Sequence, residues 1–252
     1  MKDKKRKIIC LLVIFVICII IIAFLNGIIK INNPSIDKFP IRGIDVSSYQ
    51  GKIDWEVLSK QNIYFVFIKA TEGSNLEDEY FKYNWKNANN THLKVGAYHF
   101  FSYDSGGETQ AQNFINVVPI NEDSLPPVVD IEFYGDKKRD LPNKEDTQRE
   151  LTILLEKLEK HYDKKPIIYT TQKSYNLYIK GAYEDYPIWI RDILKQPSLS
   201  DGREWIFWQY TNKEKLEGYR GTEKFIDMNI FNGDYSDFIE WINEIKQEDI
   251  NI

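Results

Sequence analysis

The sequence predicts an α/β protein: a modified TIM-like barrel carried behind an N-terminal transmembrane helix. Three observations lead there. Eight short, apolar, β-rich runs are spread over residues 41–231. The early ones alternate with amphipathic helical stretches, which implies parallel strand pairing. An unbroken apolar run, Ile8–Leu25, precedes them all. Eight strands buried on both faces suit a closed barrel better than an open doubly wound sheet, and no Gly-x-Gly-x-x-Gly follows any strand.

Asn26-Gly27-Ile28-Ile29 extends the apolar run to 22 residues, about 33 Å as a helix and enough to cross a bilayer. Lys2, Lys4, Lys5, Arg6 and Lys7 precede it against Asp3 alone. The positive-inside bias therefore makes residues 1–7 a cytoplasmic tail, 8–29 a single-pass anchor and the rest an exterior domain on a bacterial cell membrane. Ala23-Phe24-Leu25-Asn26-Gly27 offers no small-x-small cleavage site, so the segment reads as uncleaved. Cys10 and Cys18 both lie in the anchor. The exterior domain thus has no disulfide framework and must be held by its core, a habit of bacterial surface proteins. Residues 1–29 hold five of the 33 cations and one of the 38 anions, leaving 28 against 37, about −9, outside. That balance argues against nucleic acid or anionic lipid as the partner and leaves a polysaccharide open.

Lys30–Pro40, with its prolines and paired asparagines, reads as a short linker lifting the domain off the membrane. The domain is expected over residues 41–246, followed by a tail at 247–252. Its strands are predicted at Gly43–Ser47, Tyr64–Ala70, Lys94–Phe101, Pro127–Phe133, Pro166–Thr171, Pro187–Arg191, Trp205–Thr211 and Phe225–Phe231. Helices are predicted at Trp55–Gln61, Leu76–Asn90, Glu108–Val117 and Lys144–Tyr162. The last has the clearest period, with Leu151, Leu154, Leu155, Leu158 and Tyr162 on one stripe. The final third has shorter separations, so short or antiparallel connections should close the sheet. A terminal helix, Phe238–Ile245, would bury Trp241, Ile242 and Ile245.

Chemistry in such barrels gathers at the C-terminal ends of the strands. Asp130 and Glu132 stand two apart in Val128-Val129-Asp130-Ile131-Glu132, so strand alternation points both to one side. Like charges side by side under burial are expected to leave one of the pair protonated near neutral pH, as a general acid requires. Asp45 and Asp227 end two further strands, so four acids from three strands share one mouth. Tyr98, His99, Tyr169, Trp189, Trp208, Gln209 and Tyr210 occupy similar positions. Aromatic walls over a carboxylate floor suit a sugar ring. Three scattered histidines and a cysteine-free exterior argue against zinc, and no cofactor is expected. A divalent cation held by the four carboxylates stays open as an alternative.

Gly43-Ile44-Asp45-Val46-Ser47, Lys69-Ala70-Thr71-Glu72-Gly73, Gly96–Phe100, Val129–Glu132, Trp208-Gln209-Tyr210 and Asp227-Met228-Asn229 resemble, in order, the motifs of glycoside hydrolase family 25. The members of that family are lysozymes, or N-acetylmuramidases. The resemblance implies a (β/α)5(β)3 barrel, five β/α units followed by three strands. It further implies cleavage of the β-1,4 bond between N-acetylmuramic acid and N-acetylglucosamine in peptidoglycan. By position Glu132 would be the proton donor, Asp130 its partner, Asp45 and Asp227 the rest of the acidic floor, and Asn229 a substrate-binding group beside Asp227. Trp189-Ile190-Arg191-Asp192 departs from the family, which more often has a small residue and an aromatic after the tryptophan.

Residues two apart on a strand leave the carboxyl separation between the ranges for retention and inversion. Retention is favoured, because the 2-acetamido group can itself attack the anomeric carbon with Asp130 polarising it; direct attack by Asp130 is the rival. Chitinase-like barrels carry two further upstream acids where this chain has Leu125 and Val128. The non-enzymatic alternative is an idle peptidoglycan-binding barrel acting as scaffold of a membrane assembly. The domain is expected to work as a monomer.

Overall fold

The computed structural model describes residues 2–247. Helix α1 (Lys2–Leu25) leads into a closed barrel. Strands β1 (Arg42–Val46), β2 (Phe65–Glu72), β4 (Lys94–Phe100), β5 (Val128–Ile131), β6 (Ile167–Thr171), β7 (Ile188–Arg191), β8 (Phe207–Glu214) and β9 (Ile226–Phe231) form its wall, and the two-residue β3 (Leu76–Glu77) flanks β2. Of the eight wall strands only β9 runs against its neighbours, β1 and β8, and β1 pairs with β2 to close the ring. Helices α2 (Trp55–Leu58), α3 (Phe81–Ala88), α4 (Gly107–Val117), α5 (Lys144–Tyr162) and α6 (Gln172–Ser174, continued by a π turn at Tyr175–Ile179) each follow one strand. Strands β7, β8 and β9 follow without helices between them. This is the five-plus-three arrangement, with eight strands where eight were expected.

Alternation divides the side chains into two cores. Ile44, Val66, Ile68, Val129 and Ile190 face outward into the helix layer. Phe65, Phe67, Trp189 and Phe207 face inward and fill the barrel. Large rings fit the lumen because glycine stands opposite them. A Cβ at Gly43 would lie 2.4 Å from the Phe65 ring, and one at Gly96 2.5 Å from the Phe67 ring. Helix α7 (Tyr235–Gln247) plugs the end at which most strands begin, setting Phe238 against Phe65 and Trp241 against Phe207. With that end sealed, the opposite end is the open one.

Three expectations are corrected. The helix predicted from Leu76 begins at Phe81, because Leu76 and Glu77 pair with β2 and the Asp78 carboxylate accepts from the backbone N–H of Tyr80, turning the chain first. The apolar helix ends at Leu25 rather than Ile29, with Gly27 at φ +70°. The linker is not a free stalk. Pro34 and Phe39 are buried, Phe39 packs on Trp205 and Trp208, and Arg42 Nη2 donates to the Pro34 carbonyl at 2.6 Å. Most of the tail expected at 247–252 lies outside the described residues.

Candidate active site

The open end of the barrel holds a cavity of about 540 Å³. Asp45, Asp130, Glu132 and Asp227 all line it, as do Tyr98, Tyr169, Trp189 and Gln209. The register explains the meeting of the acids. Asp45 on β1 lies directly opposite Asp227 on antiparallel β9, and Asp130 sits at the end of β5 with Glu132 just beyond it. Like charges facing each other across strands oppose folding, so this arrangement is maintained against a stability cost.

A hydrogen-bond chain fixes the floor. Trp189 Nε1, which can only donate, gives its proton to Asn229 Oδ1 at 2.9 Å, so the Asn229 amide turns its N–H₂ to Asp45 Oδ2 at 2.8 Å. From the other side the Tyr169 hydroxyl donates to Gln209 Oε1 at 3.0 Å, and Gln209 Nε2 donates to the same Asp45 oxygen at 2.9 Å. Asp45 is therefore held as an acceptor by two amides that are themselves oriented by aromatic donors. Asn229 stands behind the cavity wall, holding Asp45 rather than facing the opening.

Burial raises the affinity of all four acids for protons. Asp45 is pushed up by burial and pulled back by Asn229, Gln209 and Arg191. Asp227 is raised well above the usual range by burial and then by Asp45, against Arg191. Glu132 is raised by burial, opposed by Arg191 and Lys138. Asp130 is raised well above the usual range, by burial first and then by Glu132, against Lys69. Its Oδ1 is buried without a hydrogen-bond partner. A buried carboxylate oxygen left unpaired is costly, and a ligand N–H in the cavity would satisfy it. The phenols of Tyr98 and Tyr169 are also raised well above their usual value by burial and stay neutral donors.

Besides Asn229, three expected site residues do not line the cavity. Trp208 and Tyr210 flank Gln209, and since Gln209 points inward both must point out. Trp208 Nε1 donates to the Asp192 carbonyl at 2.7 Å, and the Tyr210 hydroxyl accepts from Arg42 at 3.0 Å. His99 likewise follows inward Tyr98 and faces α4. Gln110 Oε1 can only accept, so His99 Nε2 donates to it at 3.0 Å while Nδ1 accepts from the Thr71 hydroxyl at 2.7 Å. Burial lowers this imidazole to about 4, making it neutral at pH 7 and structural.

Two strand-borne cations that sequence reasoning passed over, Lys69 and Arg191, line the same cavity, together with Lys138 from the segment after β5. Counting by twos finds them: Lys69 follows inward Phe65 and Phe67, and Arg191 follows inward Trp189. Arg191 draws all four acids toward ionisation. Among the described residues no group of three or more His, Cys, Asp or Glu is arranged to hold a metal ion.

Comparison with known proteins agrees with this geometry. The sequence profile of glycosyl hydrolases family 25 matches residues 44–219. Lysozyme M1 of Streptomyces globisporus is 32% identical over 208 residues, 78% of this chain and 69% of its own. The uncharacterized protein YegX of Escherichia coli K12 is 34% identical over 215 residues, 83% of this chain and 76% of its own. Among solved structures, a family 25 glycosyl hydrolase from Bacillus anthracis superposes with a TM-score of 0.78 at 56% identity, covering 83% of this chain and 96% of that one. The bacterial lysozyme of Streptomyces coelicolor gives 0.71 at 28% identity, covering 81% and 98%. The chain belongs to glycosyl hydrolase family 25 and is a glycoside hydrolase of the lysozyme class.

Proposed function

We propose that the protein cleaves the β-1,4 bond between N-acetylmuramic acid and N-acetylglucosamine in peptidoglycan, with retention of configuration, while anchored to a bacterial cell membrane. The observation that carries this reading is the unpartnered Asp130 Oδ1, buried in an open cavity beside Glu132. An N-acetyl sugar offers the N–H that this oxygen lacks. When the acetamido N–H bonds to Asp130, the ionised form of Asp130 is favoured and the proton shared by the acid pair rests on Glu132.

The reaction follows from that placement. Glu132 gives its proton to the leaving glycosidic oxygen as the acetamido carbonyl oxygen attacks the anomeric carbon from the opposite face. Asp130 holds the N–H and balances the positive charge of the cyclic intermediate. Water then opens the intermediate, giving its proton to Glu132, and two displacements restore the original configuration. Asp45 and Asp227 supply negative potential beneath the sugar as its ring gains positive charge. Tyr98, Tyr169 and Trp189 provide ring faces and polar edges for the saccharide.

Lys4–Leu25 is long and apolar enough to cross a membrane, and none of its residues is buried. We take it as an uncleaved anchor with its basic end inside and the barrel outside, which suits local wall remodelling. The test is turnover of purified peptidoglycan by the full chain in detergent, with the products followed by NMR. Initial release of the β-anomer is expected. The α-anomer would contradict retention, and a glycosyl adduct trapped on Asp130 would replace acetamido attack by direct attack.

A further inference from the structure

The anchor is fastened to the mouth of the barrel. Lys213, at the end of β8, donates through Nζ to the Phe24 carbonyl at 3.3 Å and lies 3.8 Å from the centre of the Phe24 ring. Lys224, just before β9, donates to Asn26 Oδ1 at 2.8 Å. Both cations lie at the C-terminal, negative end of the α1 dipole, where Lys213 shares the Phe24 carbonyl with the Gly27 N–H. Lys30 pairs with Glu214. Gly27 lies so close to the barrel that a Cβ there would come within 2.8 Å of the Lys213 carbonyl and 2.9 Å of the Phe225 ring. Phe225 also lines the catalytic cavity. One side chain therefore separates the end of the apolar helix from the space where the saccharide binds. Strand β8 ends and β9 begins at the open end, so the anchor arrives at the catalytic face and not at the end plugged by α7.

The chain emerging there has the make-up of an interfacial segment. Leu25, Ile28, Ile29 and Ile31 are exposed on either side of a half-buried Lys30. Because the loop's cations are nearly matched by Glu214, Glu217 and Glu223, the attraction is apolar and does not call for anionic lipid.

We propose that the end of α1 and the β8–β9 loop form one membrane-seating surface, which rests on the lipid headgroup layer and holds the mouth of the cavity at the bilayer. This rests on the reading of α1 as an anchor. The substrate within reach is then glycan in the layer next to the membrane, such as a strand still joined to its lipid carrier, ahead of mature wall farther out.

The test uses the full chain with Cys10→Ser and Cys18→Ser, carrying a single fluorophore at Thr222→Cys in the loop or at Asn90→Cys at the far end of the barrel. The vesicles are phosphatidylcholine with headgroup-attached quencher. Flotation with the vesicles, scored first, tests the anchor, and failure to float overturns the proposal with it. The expected result is quenching several-fold stronger at Thr222 than at Asn90, with the contrast lost in Lys213→Glu/Lys224→Glu. Equal quenching at both positions, or an unaltered contrast in the double variant, would overturn the proposal. Release of muropeptides from soluble glycan fragments is followed in the same samples. A chain that seats but cleaves nothing defeats the lysozyme reading and leaves the seating intact; one that cleaves but does not seat does the reverse.

Discussion

At the scale of single residues, the site is a problem of where one proton sits. Glu132→Gln removes the transferable proton while keeping the shape, and general acid catalysis is commonly worth about 10²–10⁴-fold. A loss of that size in kcat is expected, with an unchanged circular dichroism spectrum. Asp130 raises a question of sign. Its carboxyl binds protons more tightly in the fold than outside it, so the fold is favoured below the ordinary carboxylate range and loses that advantage as pH rises through the raised value. Asp130→Asn should therefore stabilise the protein at pH 7, by about 1 kcal/mol and some 2–4 °C in Tm, with the gain shrinking toward pH 4, while activity falls. Differential scanning calorimetry at the two pH values checks this. Arg191 favours ionised Glu132, so Arg191→Met should carry the alkaline limb of the pH–rate profile to higher pH. A limb that stays put would show that Arg191 does not act on the proton donor.

At the scale of elements, the strands were legible because each is a short apolar run, and Asp45, Asp130, Glu132 and Asp227 were legible because each interrupts or ends one. The error lay in treating neighbours as companions. Trp208-Gln209-Tyr210 cannot all face the lumen, and neither can Tyr98-His99, since a strand shows successive side chains to opposite faces. The same alternation would have exposed Lys69 and Arg191. The role of Asn229 was not legible, because it depends on Trp189 approaching from a different strand. The packing of residues 30–40 was equally hidden, since prolines and asparagines look alike in a free stalk and in a fixed strap. Phe39, only 4% exposed, makes the difference measurable. A chain beginning at Ile41 should be less stable than one beginning at Lys30 by about 3 kcal/mol, the usual cost of losing a buried phenylalanine. Urea denaturation of the two fragments provides the comparison, and equal midpoints would mean that the strap contributes nothing.

At the scale of the whole molecule, the barrel separates stability from chemistry along its axis. Rings and α7 seal one end, and the other collects four acids whose mutual repulsion the packed end must offset. Two cations from the barrel wall, Lys69 and Arg191, face those acids. Activity is accordingly expected to survive a metal chelator unchanged, and a loss restored by added divalent cation would give the carboxylates a different task. The reading as a whole stands on Glu132 delivering a proton at one particular linkage. The most direct measurement is mass spectrometry of the new reducing ends that the full chain and its Glu132→Gln variant release from purified peptidoglycan. N-acetylmuramic acid at the new ends, formed by the parent chain and absent with the variant, is the expected result. N-acetylglucosamine at those ends, or undiminished release by Glu132→Gln, would contradict it.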